Sequence, residues 1–170
     1  TVRSIVAVAA QKGWKINQLD VKCAFLNGEL KETMFIEQPQ GFVKIGEELK
    51  VCRLKRALYG LKQAPRAWFN RIENYFMKDG FEKSHYDHTL FIKKTTKGVG
   101  IVSLYVDDLI YTGDNEVICG EFKESMMQEF EMTDLGAMKY FLGVEVIQDT
   151  AEISMCQKKY AKELLERFHM

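Results

Sequence analysis

The sequence predicts an α+β fold, an antiparallel sheet with helices gathered on one face, in a single compact domain or one large subdomain with an attached piece. Three observations lead there. Helical and strand periodicities follow one another in the order helix, strand, turn, helix, hairpin, helix, strand pair, helix. The run 101–112 is apolar and β-branched, is broken at its centre by Asp107 and Asp108, and then resumes, which is the pattern of a tight hairpin. A chain of 170 residues, 46% hydrophobic and 28% charged, is long enough to bury a real core.

Taken in order, residues 2–12 suit a helix with one buried face, stopped near Gly13. Residues 14–21 read as a strand with Asp20 at its end. Asn27-Gly28 is a turn signal, 34–36 a short strand halted by Pro39, and 40–48 an exposed loop. A strand at 51–54 leads into the basic loop Leu58-Tyr59-Gly60-Leu61-Lys62-Gln63-Ala64. Pro65 then fits the first turn of a helix to about residue 78, with Trp68, Ile72, Tyr75 and Phe76 on one face and Gly80 as its stop. Residues 89–93 and 100–112 supply three strands, with Thr95-Thr96-Lys97-Gly98 as a polar turn. Asp114 or Asn115 caps a helix through about residue 130, whose apolar residues include Val117, Phe122, Met126 and Phe130. Residues 140–147 form a strand, Gln148-Asp149-Thr150 a turn and 153–155 its partner. The last helix begins near residue 157 and keeps Tyr160, Leu164, Leu165 and Phe168 on its apolar side.

Lysines plus arginines equal aspartates plus glutamates, 24 of each, so the balance of charge identifies no partner. Its distribution does. Residues 49–72 hold seven basic side chains and no acid, whereas 114–134 hold seven acids and one lysine. The first stretch is built to face an anion, and the second reads as a solvated helix. Cys23, Cys52, Cys119 and Cys156 lack C-x-x-C spacing and sit among apolar neighbours, which predicts reduced, intracellular thiols. His85 and His88 have metal-like spacing but no cysteine partners, and read as ordinary histidines. No run approaches the length of a membrane span, so no membrane partner is expected. The opening residues are taken as a helix cut from a larger chain.

The hairpin carries the chemistry. Two-residue connections favour Asn-Gly or Gly-X, and adjacent carboxylates repel by roughly 1 kcal/mol in water and about 4 kcal/mol at the effective dielectric of a protein surface. A divalent cation bound through oxygen would offset that repulsion. A solvated Asp-Asp turn is the plain reading, and the hairpin alone does not separate the two. Asp20 joins Asp107 and Asp108 if their strands are neighbours. Three carboxylates at one point could hold two magnesium ions, which supports in-line displacement at phosphorus. The basic stretch would supply contacts to a polynucleotide backbone. Polymerisation, nuclease cleavage and nucleotide hydrolysis all stay open on these grounds.

Three motifs narrow the choice. Gln18-Leu19-Asp20-Val21-Lys22-Cys23-Ala24-Phe25-Leu26-Asn27-Gly28, Leu58-Tyr59-Gly60-Leu61-Lys62-Gln63-Ala64-Pro65-Arg66-Ala67-Trp68, and Tyr105-Val106-Asp107-Asp108 closely resemble motifs of the copia-type retrotransposon reverse transcriptases, in the same order and with similar separations. Tyr140-Phe141-Leu142-Gly143-Val144 follows, and the resemblance covers essentially the whole chain.

The resemblance implies a right-hand polymerase with this sheet as its palm, part of the fingers, and a thumb beginning near residue 156. It implies an RNA- and DNA-directed DNA polymerase that uses two magnesium ions, with manganese as a substitute. Asp20, Asp107 and Asp108 resemble the metal-binding triad, with the main-chain carbonyl of Val21 as a further ligand. Cys23 and Ala24 occupy positions whose amides face the incoming triphosphate, Phe25 resembles the aromatic gate beneath the sugar, and Gly60 matches the loop nearest the nucleotide. Lys62 and Arg66 resemble template contacts, and Leu142 and Gly143 the primer-gripping hairpin.

The implied partners are a primed RNA or DNA template, deoxynucleoside triphosphates and the rest of the Pol polyprotein, in a cytoplasmic retrotransposon particle. Family members carry an upstream fingers segment, a completed thumb and an RNase H domain, and this chain is expected to start after the first and stop before the others. Two rival readings stand beside this one: a catalytically inactive transposon remnant or domesticated nucleic-acid-binding domain, and a metal-dependent nuclease.

Overall fold

The chain enters the fold through α1 (Val2–Lys12), which buries Ile5, Val6 and Ala9 and ends at Gly13. β1 (Asn17–Val21) follows and becomes an interior strand of the largest sheet. The structure, a computed structural model, describes residues 1–149 and 152–170. Its contacts divide the chain into two compact units, Thr1–Lys22 with Gly80–Met170, and Cys23–Asp79.

In the first unit, β4 (Glu82–Lys83), β5 (Leu90–Thr95), β6 (Gly98–Tyr105), β7 (Asp108–Gly113), β1 and β8 (Met132–Ala137) lie side by side in the order β4-β5-β6-β7-β1-β8. Every pairing is antiparallel. β9 (Tyr140–Phe141), β10 (Val144–Gln148) and β11 (Ile153–Cys156) make a separate three-stranded sheet. α3 (Glu116–Glu129) is capped as expected, the Asn115 side chain accepting from the Val117 amide at 2.8 Å.

The expectation of helices on one face is corrected. Tyr111 packs its ring against Phe122 of α3, with centroids 5.2 Å apart, while its neighbour Ile110 shares a buried cluster with Ile5, Val6 and Ala9 of α1. Successive strand residues point to opposite faces, so α3 and α1 cover opposite sides. An interior strand buried on both sides reads as an unbroken apolar run, and the run Leu109-Ile110-Tyr111 does not reveal which face is covered.

Other differences are local. β8 was not anticipated: Thr133-Asp134-Leu135-Gly136 has no alternation, and its pairing with β1 shifts register between Gln18 and Leu19. The strand expected at 140–147 is a hairpin, turning at Leu142-Gly143. On α3 it is Ile118, not Val117, that is buried. α4 (Lys158–Arg167) forms where expected but buries none of its residues. In the turn expected at Gln148-Asp149-Thr150, Thr150 lies outside the described residues, and the Asp149 amide donates to the Glu152 carbonyl at 2.9 Å.

In the second unit a 3-10 turn, Ala24–Asn27, precedes the hairpin of β2 (Phe35–Glu37) and β3 (Val51–Arg53), and α2 (Ala64–Lys78) closes it. Pro65 sits in the first turn of α2, and Ala64, Trp68, Ile72 and Phe76 form its buried stripe. Gly28 passes so close to α2 that a Cβ there would lie 2.8 Å from the Trp68 backbone nitrogen. The turn signal at Asn27-Gly28 therefore marks a close approach of backbones, which only glycine permits.

Candidate active site

Antiparallel register brings the predicted carboxylates together. Asp20 on β1 and Asp108 on β7 are direct cross-strand partners, so their side chains share a face with Cβ atoms about 5 Å apart. The Val21 amide donates to the carbonyl of Asp107 at 2.9 Å, which ties the end of β1 to the hairpin turn. Burial first, and then the charges of Asp108 and Asp107, raise the proton affinity of the Asp20 carboxyl.

Gln18 is the member of this site that sequence reasoning missed. It is 7% exposed and donates from Nε2 to Asp108 Oδ1 at 3.1 Å. A signal was available, because a polar residue two positions before Asp20 on a strand shares its face.

The hairpin turn is not where it was expected. Tyr105 pairs with Asp108, so the tip is Val106-Asp107, and Asp108 is the first residue of β7. Val106 has φ 57° and Asp107 is not among the positive-φ residues, a pattern of type II′, where the first central position is normally glycine. A β-branched residue at positive φ is an outlier that costs about 1–2 kcal/mol, and strain of this kind concentrates at functional sites.

The second hairpin repeats the motif in another turn class, with Leu142 at φ 48° and Gly143 at φ 82° between paired Phe141 and Val144. Both tips expose an apolar side chain, Val106 at 46% and Leu142 at 48%. Tyr105 and Phe141 meet edge to face with centroids 6.5 Å apart, so the hairpins are neighbours. Gln148 fixes the second sheet to the first: its side chain accepts from the Ile16 amide and donates to the carbonyls of Ile16 and Met138, all at 2.9 Å.

The remaining predicted residues belong to the second unit. Cys23, exposed at φ 51°, starts the 3-10 turn, and the Ala24 side chain is buried. The half-buried ring of Phe25 stacks on Tyr59, with centroids 5.7 Å apart and planes inclined by 28°. Gly60 has φ 92°, a conformation closed to other residues without strain, and Lys62 and Arg66 are exposed at the start of α2.

Asp20, Asp107 and Asp108 form an oxygen-only, mutually repelling donor set, the chemistry a hard divalent cation takes. Among the described residues, however, no three His, Cys, Asp or Glu side chains close into a ready-made metal-binding group. No helix among them is long and apolar enough to cross a membrane.

The sequence pattern described as reverse transcriptase (RNA-dependent DNA polymerase) matches residues 1–170. The chain belongs to the reverse transcriptase family. This reverse transcriptase segment is 36% identical over 170 residues to the retrovirus-related Pol polyprotein from transposon RE1 of Arabidopsis thaliana, covering all of the chain and 12% of that protein. It is 35% identical over 173 residues to the corresponding polyprotein from transposon TNT 1-94 of Nicotiana tabacum, covering 13% of it. A putative transposon Ty5-1 protein of Saccharomyces cerevisiae is 34% identical over 84% of the chain and 46% of its own length. The chain thus spans a small part of the polyproteins it matches, and the copia-type resemblance read from its motifs is borne out.

Proposed function

We propose that this reverse transcriptase segment carries the polymerase site of a retrotransposon Pol protein, extending a primer by template-directed transfer of nucleotides from deoxynucleoside triphosphates. The observation that carries the reading is the direct opposition of Asp20 and Asp108 across β1 and β7, with Asp107 at the adjoining turn. Asp20, Asp107, Asp108 and the Val21 carbonyl are the groups that would hold two divalent ions, magnesium or, as a substitute, manganese. When bound, such ions lower the pKa of a primer 3′-hydroxyl and neutralise phosphate charge.

The chain's own residues supply position. The reaction joins the 3′-oxygen of the primer to the α-phosphorus and releases pyrophosphate. Gln18 holds Asp108 in place through its hydrogen bond. Phe25, braced by Tyr59, excludes a 2′-hydroxyl; the turn at Cys23 and Ala24 and the loop at Gly60 approach the triphosphate. Lys62 and Arg66 meet the template, and the Leu142-Gly143 hairpin steadies the primer. The proposed partners are the primed template and the neighbouring polyprotein segments, including fingers, thumb and RNase H, within a cytoplasmic retrotransposon particle. Residues from about 156 onward begin the thumb in this reading.

A labelled primer annealed to RNA or DNA template, supplied with deoxynucleoside triphosphates and magnesium, tests the proposal in the reverse transcriptase carrying its neighbouring segments. Lengthening of the primer is the expected result. Shortening would identify a nuclease, and an unchanged primer would identify an inactive remnant.

A further inference from the structure

A cleft of about 420 Å3 lies within the first unit, beside the start of α3, and its lining includes Trp14, Asn17, Tyr111, Asp114, Cys119 and Gly120. Asn17 and Tyr111 are direct cross-strand partners, and the alternation of β1 and β7 turns them away from the face that carries Gln18, Asp20 and Asp108. The cleft is therefore separate from the carboxylate site. Buried hydroxyls normally find a partner. Tyr111 is only 4% exposed, yet among the described residues its hydroxyl bonds to nothing and is not sealed from solvent, so it opens into the cleft. The Asn17 carboxamide beside it is likewise unbonded among the described residues.

Charge in the lining is unbalanced. Lys15 lies 3.7 Å from Glu116 and Lys123 lies 3.2 Å from Asp134, which leaves Asp114 without a cation among the described residues. Its Oδ1 accepts from the Val99 amide at 2.7 Å and occupies the space that a side chain at Gly98 would take. Oδ2 is left uncommitted among the described residues. Burial first, and then chiefly the charge of Asp134, raises the proton affinity of the Tyr111 hydroxyl; burial, then Asp114 and Glu116, does the same to the Cys119 thiol. Both groups stay neutral in a negative field.

We propose that this cleft binds a guanidinium group, which donates to Asp114 Oδ2, the Tyr111 hydroxyl and the Asn17 side-chain oxygen and lies against the Trp14 ring. The inference does not depend on the polymerase reading. Uncompensated negative charge turns away phosphates and carboxylates. An ammonium is a compact, strongly hydrated point charge, whereas a guanidinium spreads five donors over a plane, is weakly hydrated and stacks on aromatic rings. Cross-strand partners stand about 5 Å apart at Cβ, so Asn17 and Tyr111 suit two donors of one planar group. Trp14 is half-buried against the α1 cluster and also lines the cleft. The volume admits either an arginine side chain or a free small molecule.

The test titrates the 170-residue chain with agmatine, with the peptide Gly-Gly-Arg-Gly-Gly, and with the same peptide carrying lysine or citrulline instead of arginine. Tryptophan fluorescence reports on Trp14, since Trp68 is buried. Agmatine or the arginine peptide should bind saturably at millimolar concentration or below, and the lysine and citrulline peptides about tenfold more weakly. Tighter binding of the arginine peptide marks a protein segment as the source of the guanidinium, and tighter binding of agmatine marks a small molecule. Tyr111→Phe should weaken binding about tenfold without lowering the melting temperature, because its hydroxyl bonds to nothing in the fold. Asp114→Asn keeps the Oδ1 acceptor and should weaken binding by a similar factor. A Cβ at Gly120 meets open space, so Gly120→Leu should fill the cleft and abolish binding in a folded chain.

Absence of saturable binding by both guanidinium ligands would overturn the proposal. So would a citrulline peptide that binds as well as the arginine peptide, or folded Tyr111→Phe and Gly120→Leu chains that bind like the parent.

Discussion

Asp20 faces a second carboxylate across the strand pair, and its raised proton affinity has a definite consequence for stability. A carboxyl whose folded pKa is raised binds its proton more readily in the native state, so its contribution is full below the unfolded value of 3.8 and is lost as pH rises through the folded value. Asp20→Asn should therefore raise the metal-free melting temperature at neutral pH by about 2–4 °C, from relief of roughly 1 kcal/mol of repulsion. Acidification through the carboxylate range should erase the difference between variant and parent. A variant that melts below the parent at pH 7 would contradict this. Phe25 gives a second test at the same scale. Phe25→Val should raise ribonucleotide incorporation relative to deoxyribonucleotide by ten- to a hundredfold, at a stability cost of up to about 3 kcal/mol. Unchanged sugar selectivity in a folded variant would make Phe25 and Tyr59 a packing pair only.

The two hairpins and their anchor are legible to different degrees. The apolar run of 101–112 announces a hairpin, and the adjacent aspartates announce its importance. The strained residue is Val106, however, because backbone pairing from Tyr105 to Asp108 leaves a two-residue turn. Side-chain type alone would place glycine there. Val106→Gly should stabilise the fold by about 1 kcal/mol, or 2–4 °C, while slowing extension by letting the turn wander; a destabilised variant would show that the valine contributes more through contacts than it costs in strain. Gln148 illustrates what sequence could not show. Its side chain spans to Ile16, 132 positions away, and no local pattern encodes such a pairing. Gln148→Ala leaves buried backbone groups of Ile16 without this partner and should cost about 2–4 kcal/mol in urea or thermal melts. A cost under 0.5 kcal/mol would mean that water replaces it.

Across the whole molecule, the convergence of the carboxylates was more legible than the architecture. Asp20, Asp107 and Asp108 stood out because like charges interrupt apolar strands, and the register that joins them follows from antiparallel pairing. The strand β8, the second sheet and the placement of α1 and α3 on opposite faces depend on contacts between distant segments, to which periodicity is blind. If the carboxylates act as one site, magnesium or manganese should raise the melting temperature of the 170-residue chain. The increment follows concentration over dissociation constant, about 2.7 kcal/mol at a hundredfold excess. A shift undiminished in Asp107→Asn would put the cation elsewhere. The measurement that bears most directly on the polymerase assignment is the rate of single-nucleotide addition to a primed template, compared between the parent enzyme in its polyprotein setting and Asp108→Asn. A fall of several orders of magnitude in a variant that melts like the parent is the predicted result, and near-parental addition would contradict the assignment.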